Sequence, residues 1–543
     1  MASTTGSRLL ARALKQQGAE ALFFLTGGPM VRFTMAAAYE ELKVVDVRHE
    51  QAAAMMAHAW GRVRGKPGVC SAASGPGVTN LVTGVATAFA DAAPLVVLGG
   101  SSSISQFEME AFQEMDQVEL MKPITKWSRR VNEARRIPDY VHTAFQHARG
   151  NRPGPVYLDL PGDVLHQRLE EDDIYFPPQA PPPPRPLGNP ELISQAVQLL
   201  ADAQRPIIVT GSGILWSGAS EELQEFVDTT GMPFYTTPQG RGVIPEDHPL
   251  CFPGARSMAF READVVLVVG TRFNVILSFG RAPRFAPDAK VVQVDIDAEY
   301  IGHNRPVDLG IVGDAKMVLR QLTQEAQGKL RGWAKSPWVE KLGQDNARRW
   351  AQLQPQLTSD QTPITTLRLC KEVADFLDRD AILAVDGHVT LNWGRQIIPT
   401  HSPAHRLNCG PFGCIGVGVP FGLGAKVARP DLQVMTLSGD GGFGMNAMEM
   451  DTAVRNNIPL VVVVNNNSSW ETLVAGNKVP GQYLGHQRYD KMAEAFGCHG
   501  ELVEKPQDIR PALERAFKAG VPALVNVITD PYTEVHTQEF YGY

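Results

Sequence analysis

No apolar run in this chain exceeds strand length. The longest, such as Pro94–Leu98 and Leu460–Val464, fall far short of the ~20 residues a membrane-spanning helix needs. The opening MASTTGSRLLARALKQQGAE has no apolar core of the kind a secretory leader carries. Cysteine is scarce: six residues in 543, with no CxxC pair. That argues against a disulfide framework or a zinc site. We read all six, including Cys409 and Cys414 among glycines, as reduced thiols of a cytoplasmic protein. There is no basic excess either. A formal net charge of −7 argues against nucleic acid or an anionic membrane as the main partner. It leaves room for a local basic pocket around a phosphorylated ligand.

What is present is ordinary globular material, 43% hydrophobic and 20% charged, in a chain too long for one core. PPQAPPPPRPLGNP, residues 177–190, reads as an extended polyproline-like linker. A second break falls in a polar stretch within residues 324–362 that is helical in flavour and rich in Gln and Lys. The expected domains are 1–176, 191–340 and 363–529, with linkers at 177–190 and 341–362 and a tail at 530–543. Each domain alternates short β-rich runs with amphipathic helices, for example PLVVLGG (94–100), VVLVVG (265–270) and VMTLSGD (434–440). Runs apolar on both faces and spaced by helices predict parallel sheets covered on both sides. The expected class is α/β: three successive doubly wound parallel-sheet domains, with ligands at the carboxyl ends of strands.

SGDGGFGMNAMEMDTAVRNNIPLVVVVNNNSSW, residues 438–470, predicts strand, Gly-rich turn, helix and next parallel strand. A right-handed crossover sets the two strand ends side by side, so Asp440 and Asn467 converge although 27 residues separate them. A carboxylate, an amide oxygen and a backbone carbonyl form a hard-oxygen set suited to Mg²⁺ that keeps a water and two phosphate oxygens. Gly439, Gly441, Gly442 and Gly444 let backbone amides approach a phosphate ahead of a helix. GDG alone is also an ordinary Gly-rich turn; its pairing with NN at this spacing argues for the site.

GDG followed by NN at this distance resembles the signature of thiamine-diphosphate-dependent enzymes. The resemblance implies that Asp440 and Asn467 give side-chain oxygens, and Ser469 its carbonyl, to a Mg²⁺ that holds the cofactor's diphosphate. It implies also an acid against N1′ of the aminopyrimidine, which lets N4′ remove the C2 proton. VVDVRHEQAAAMMAHAWG (44–61) offers Glu50, just past a strand and opening a small-residue helix. A lone glutamate there is a common helix N-terminal acid; RHEQAA upstream of GDG…NN points instead to the activator. GPFGCIGVGVPFG (410–422) resembles the segment that bends the cofactor. Gly413 would accept from the 4′-amino group through its carbonyl, and Ile415 would donate its amide to N3′ and wedge beneath the bend. VDGHVTLNW (385–393) resembles the other diphosphate loop, with Gly387 and His388 near the phosphates. Because acid and metal lie in different domains, the resemblance implies active sites shared between two chains: a homodimer, and usually a homotetramer.

Within that superfamily, GGSSSISQFEMEAFQEMDQVELMKPITKW (99–127) and GTRFNVILSFGRAPRFAPDAKVVQVDIDAEYIGHN (270–304) resemble 2-hydroxyacyl-CoA lyases, the former also oxalyl-CoA decarboxylases. NNNSSWETL (465–473) and DVRHEQAA lean towards benzaldehyde lyase, and PEDHPL and NRPVDLGIVGD are shared with acetolactate synthases. The preferred reading is a carbon–carbon lyase that splits a 2-hydroxyacyl-CoA between C1 and C2 into formyl-CoA and an aldehyde or ketone, and runs the reverse condensation. Gln113, with Glu114 beside it, is the candidate substrate-facing polar group. Gly28 and Pro29 would face the same cleft without acid or base. The tail reads either as a loose end or as a lid over the CoA arm that supplies an acid; it holds Tyr532, Glu534, His536, Glu539 and two terminal tyrosines, with Glu534 the candidate acid. Arg281, Arg284, His405 and Arg406 are candidate cations for CoA phosphates. Gly211, Ser212, Arg272 and Asp295 are candidates for a nucleotide in the central domain. The resemblance implies ADP there, as in oxalyl-CoA decarboxylases, or, less favoured, FAD, as in acetolactate synthases; a vacant site is the third alternative. The competing readings are a 2-oxoacid carboligase or benzaldehyde-lyase-like enzyme without CoA, an oxalyl-CoA decarboxylase, and a non-catalytic nucleotide-binding scaffold. Intact Glu50, Asp440 and Asn467 argue against the last.

Overall fold

A computed structural model describes residues 3–330, 332–474 and 479–534. Three parallel sheets follow one another along the chain. In spatial order the first holds Lys43–Asp46, Ala21–Phe24, Gly68–Ala72, Leu95–Ser101, Pro155–Pro161 and Trp127–Arg130. The central sheet holds Phe234–Thr236, Pro206–Thr210, Val265–Val269, Lys290–Asp295 and Leu309–Val312. The third holds Arg406–Leu407, Ile382–Asp386, Val434–Gly439, Val461–Asn466, Ala523–Ile528 and His499–Val503. The expected α/β class with three doubly wound sheets is the one adopted. Strands such as Leu95–Ser101 and Val461–Asn466 are buried along their whole length, so both faces need helical cover.

Counted along the chain within each sheet, the first and third share one strand order, 2-1-3-4-6-5. Helix Glu50–Arg64 follows the second strand of the first sheet, and helix Gly418–Ala428 follows the second strand of the third. These equivalent helices pack on each other. A Cβ on Gly424 would lie 2.2 Å from the Met56 carbonyl oxygen, so only glycine lets the two backbones come so near. Around the contact, Ala53, Met55 and Leu81 share one apolar cluster with Val419, Phe421 and Leu423.

The connections are ordered. The proline-rich strap is held by Gln17, which accepts from the Ala180 amide at 2.8 Å and donates to the Pro178 carbonyl at 3.1 Å, and by Arg149, which donates to the Ala180 carbonyl at 2.7 Å. The segment 341–362, expected as a linker, is for the most part helix Pro337–Leu357. Its Trp338 and Leu342 join the central core and its Leu353 and Leu357 the third, so the connection is a packed strut rather than a free linker. All three domains meet at a buried polar junction. Gln239 donates to Asp91 at 3.0 Å and to the Asn408 side chain at 3.3 Å, and accepts from Arg62 through its carbonyl at 3.1 Å. Burial pushes the Asp91 carboxyl up to about 7, against the pull of Arg62.

None of the six cysteines pairs with another. Among the described residues no helix is long and apolar enough to cross a membrane. The Gly424 contact is testable: Gly424→Val forces a side chain into the Met56 backbone, and overpacking of this kind costs about 2 kcal/mol. The expected outcome is a lower apparent midpoint in a thermal melt, with no midpoint change for an exposed glycine control such as Gly332→Ser.

Candidate cofactor site and central cavity

The third sheet ends in a cavity of about 210 Å³. Its walls include Gly387, His388, Ile415, the turn 439–442, Asn467 and Ser469. Of the cofactor residues expected in this domain, Gly413 alone is outside the lining; it stands exposed two residues before Ile415, with φ +69°.

Asp440 opens helix Asp440–Met445 and is 2% exposed. One carboxylate oxygen accepts from the Gly441 amide at 3.0 Å; the other, Oδ2, is buried without a hydrogen-bond partner among the described residues. Burial pushes this carboxyl up to about 7, and the amides of Gly441, Ser469 and Ser468 pull it back. Asp440, Asn467 and Ser469 line one cavity, as the crossover predicts. A buried carboxylate oxygen with no donor is what a cation would satisfy. Asn467 accepts from the Ser469 amide at 3.2 Å, leaving oxygen capacity towards the same cavity. Among the described residues no cluster of three His, Cys, Asp or Glu side chains exists, so a metal here would take a mixed carboxylate, amide and carbonyl set, the chemistry that suits Mg²⁺.

The three asparagines divide their work. Asn465 accepts from Thr366 at 3.3 Å and donates to Thr390 at 2.9 Å. Asn466 donates to Asn526 at 3.0 Å. Asn465 and Asn467 both line the cavity with Ser469, whereas Asn466 does not. Gly441 must be glycine because the Trp470 ring would lie 2.5 Å from a Cβ; Trp470 thereby forms another wall. Asp386, which motif reading passed over, is fully buried. It accepts from the amides of Gly387 at 2.7 Å and of Gly416 and Gly418 at 3.0 Å each. Its carboxylate thus joins the His388 loop to the Ile415 loop. The signal was present as an acid ending the strand in VDG.

Glu50 does not line this cavity. It stands at the carboxyl end of the first sheet, 6% exposed, accepting from Asn80 at 2.9 Å. On the same rim, Gln113 accepts from Ser74 at 3.0 Å, and Gly28 lies beside Ser74. Pro29 packs against Gly100. Gln113 has φ +59°, a strained backbone of the kind functional loops hold. Its loop is fastened by Gln117, which donates to Asp159 at 2.7 Å and accepts from the Gly75 amide at 2.6 Å. Glu114, expected beside Gln113 as a substrate group, is engaged within its own loop. It accepts from the loop's own amides, Glu108 at 2.6 Å and Ala111 at 2.8 Å, and these bonds hold its carboxyl below the ordinary range.

The tail begins docked. Thr472 donates to the Thr533 carbonyl at 2.8 Å, and Trp393 to the Glu534 carbonyl at 3.2 Å. Tyr532 and Glu534 are exposed; His536 and Glu539 lie outside the described residues. The four cations proposed for CoA do not gather at one place: His405 and Arg406 line a separate cavity of about 180 Å³, and Arg281 and Arg284 line neither that cavity nor the two larger ones. Arg284 is buried, bonded to Ser257 at 3.0 Å and set over Phe260. Arg406 is buried against the carbonyls of Ile398 and Gly394 and the Thr400 hydroxyl. His405 bonds the Asp380 carbonyl at 2.8 Å. Arg281 is exposed and donates to the Asn304 carbonyl at 2.9 Å. Residue type in the sequence did not reveal that two of these cations serve packing.

A larger cavity, about 330 Å³, opens where the central sheet meets the first domain and the strap. Ser212, Arg272 and Asp295 line it; Gly211 packs behind them on Thr271 and Thr237. Burial raises Asp295 to about 6, while the Asp297 amide, Arg272 and Arg152 oppose the rise. Arg152 comes from the first domain, bonds the Tyr300 hydroxyl at 2.9 Å and lines the same space. No local motif marked it.

Three family models match the chain: "Thiamine pyrophosphate enzyme, N-terminal TPP binding domain" over residues 4–120, "central domain" over 193–322 and "C-terminal TPP binding domain" over 387–527. The chain belongs to the thiamine pyrophosphate enzymes. Among its relatives is a 2-hydroxyacyl-CoA lyase of Oryza sativa, 37% identical over 97% of this chain and 96% of that protein. The 2-hydroxyacyl-CoA lyase 1 of Homo sapiens is 32% identical over 99% of this chain and 96% of its own length. An acetolactate synthase large subunit of Mycobacterium tuberculosis is 36% identical over 96% and 95%.

Asp386→Ala would leave three buried amides without an acceptor. Hydrogen bonds to a charged group contribute about 1.5–3 kcal/mol each, so the loops at 387 and 416 should loosen together. The expected outcome is a much smaller thermal upshift on adding Mg²⁺ and thiamine diphosphate than in the unaltered protein, with Asp386→Asn intermediate.

Proposed function

We propose that the enzyme is a Mg²⁺- and thiamine-diphosphate-dependent 2-hydroxyacyl-CoA lyase. It cleaves the C1–C2 bond to give formyl-CoA and an aldehyde or ketone, and catalyses the reverse condensation. The observation that carries the cofactor assignment is the buried, unpartnered oxygen of Asp440 beside Asn467 and Ser469 at the mouth of a glycine-rich turn. When bound, thiamine diphosphate supplies the nucleophilic carbon that attacks the thioester carbonyl and takes up the electrons of the broken bond. Asp440, Asn467 and the Ser469 carbonyl hold Mg²⁺. The amides of 439–442 and the loop at Gly387 and His388 hold the phosphates. Gly413 and Ile415 orient the pyrimidine, and Glu50 holds or releases a proton at its N1′. Gln113, with Gly28 and Pro29 near it, orients the substrate hydroxyl, and Glu534 lies where the tail can offer an acid.

Glu50 is absent from the lining of its own chain's cavity, which supports a site completed by a second chain. Exposed Phe412, Met445 and Met448, 46–51% accessible, flank that cavity's loops and favour a covering surface. We therefore assign a homodimer with shared sites, assembled as a tetramer. The CoA reading rests on the lyase relatives and on residues 99–127 and 270–304. A CoA-independent carboligase, favoured by the acetolactate synthase relative and by NNNSSW, is the second reading. For the central cavity we assign ADP, with Asp295 near the sugar and Arg152 and Arg272 near phosphate.

Incubation with a 2-hydroxyacyl-CoA, Mg²⁺ and thiamine diphosphate is expected to release formyl-CoA, while pyruvate gives no acetolactate; the opposite pattern selects the carboligase. Glu50→Gln should lower turnover by about 10²–10⁴-fold and leave cofactor binding intact by titration. Separately, ADP should raise the melting temperature of the unaltered protein but not of Arg152→Ala, and a yellow, flavin-bearing preparation would overturn the ADP assignment.

A further inference from the structure

The segment that carries Glu50 is stitched across a domain boundary to one short helix, Glu449–Arg455. At its exposed end, Arg455 pairs with Asp46, Asn456 donates to the Asp46 side chain at 3.1 Å, and Arg48 pairs with Asp451 at 3.6 Å. Such surface pairs contribute little. The buried end differs. Glu449 is 1% exposed. One carboxylate oxygen accepts from the amides of both Arg48 and His49, at 3.2 and 3.1 Å, and the other from the Thr452 hydroxyl at 2.6 Å. His49 is the extended residue that caps the helix opening with Glu50. Two amides immediately before Glu50 thus depend on one carboxylate that lies 401 positions downstream of Arg48.

We propose that Glu449 is a positioning residue for Glu50. It lines neither the cofactor cavity nor the central one. It fixes the backbone entering helix Glu50–Arg64, so that the Glu50 carboxyl is presented at a set height and direction. A misplacement of about 1 Å at a reacting group can cost about a hundredfold, and nothing else among the described contacts holds the 48 and 49 amides. The inference rests on the reading of Glu50 as the acid that acts at the cofactor's N1′.

The test uses the full chain loaded with Mg²⁺ and thiamine diphosphate. Its readout is the rate at which the cofactor's C2 hydrogen exchanges with deuterated water, measured by acid quench and NMR. In Glu449→Ala this exchange is expected to slow at least about tenfold, with cofactor affinity within about twofold. In the cofactor-free chain the Arg48 and His49 amide hydrogens should exchange at least about tenfold faster. Glu449→Gln keeps an oxygen for both amides and should restore C2 exchange to near the unaltered rate. Should the alanine chain fail to fold, Glu449→Asp retains the charge and withdraws the oxygens by one methylene, and should slow C2 exchange likewise. Unchanged C2 exchange in the alanine or aspartate chain, with Glu50→Gln defective, overturns the role of Glu449 alone. Unchanged exchange in Glu50→Gln overturns the reading beneath it.

Discussion

The backbone contact between Gly424 and Met56 is the constraint from which the arrangement of both ligand-bearing sheets follows. Helix Glu50–Arg64 carries the acid of the first domain on its first residue. Helix Gly418–Ala428 begins at an amide held by Asp386, directly after the loop of Ile415. Each helix has a buried carboxylate at its amino end, Glu50 on one and Asp386 against the other, and packs through its body. With no Cβ at the crossing, the two bodies lie too close to slide, and the amino ends keep a fixed relation. The shared strand order of the two sheets makes the crossing nearly self-complementary.

The strand-end acids of the third sheet show how one environment yields two outcomes. Asp386 and Asp440 end adjacent strands and both are buried. Asp386 is satisfied by three backbone amides and serves as mortar between loops. Asp440, which lines the cavity, keeps one buried oxygen with no donor among the described residues, so its burial is tolerable only with a cation or a proton. Satisfaction by hydrogen bonds, rather than burial or charge, separates the structural acid from the one proposed as a ligand.

What could be read from the sequence follows from distance along the chain. GDG and NN belong to one strand–helix–strand unit, and the handedness of the crossover brings their ends together, so Asp440 beside Asn467 was legible before any coordinates. The sheets were legible because valine-rich runs buried on both faces leave no other option. The role of Glu50 came from resemblance, since an acid at a helix start is common for other reasons. Contacts between distant segments left no local trace. Arg152 enters the central cavity from another domain, and Glu449 reaches across the boundary to the Glu50 segment. Arg284 and Arg406 were misjudged because a guanidinium looks the same in sequence whether it meets solvent or backbone carbonyls. Likewise the polar face of residues 341–357 suggested a linker, while the few apolar residues that seat the helix were too sparse to stand out.

The junction of Arg62, Asp91, Gln239 and Asn408 bears on how such chains can be recombined. One amide side chain from the central domain bridges a cation and an acid that belong to its neighbour, and reaches the third domain as well. A central domain grafted in from a relative would arrive with its own residue at that point. Without an amide there, the guanidinium and carboxyl would lose the group that joins them at the wall of the central cavity. The middle of the chain is therefore inherited together with its flanks, although each third has a sheet and core of its own.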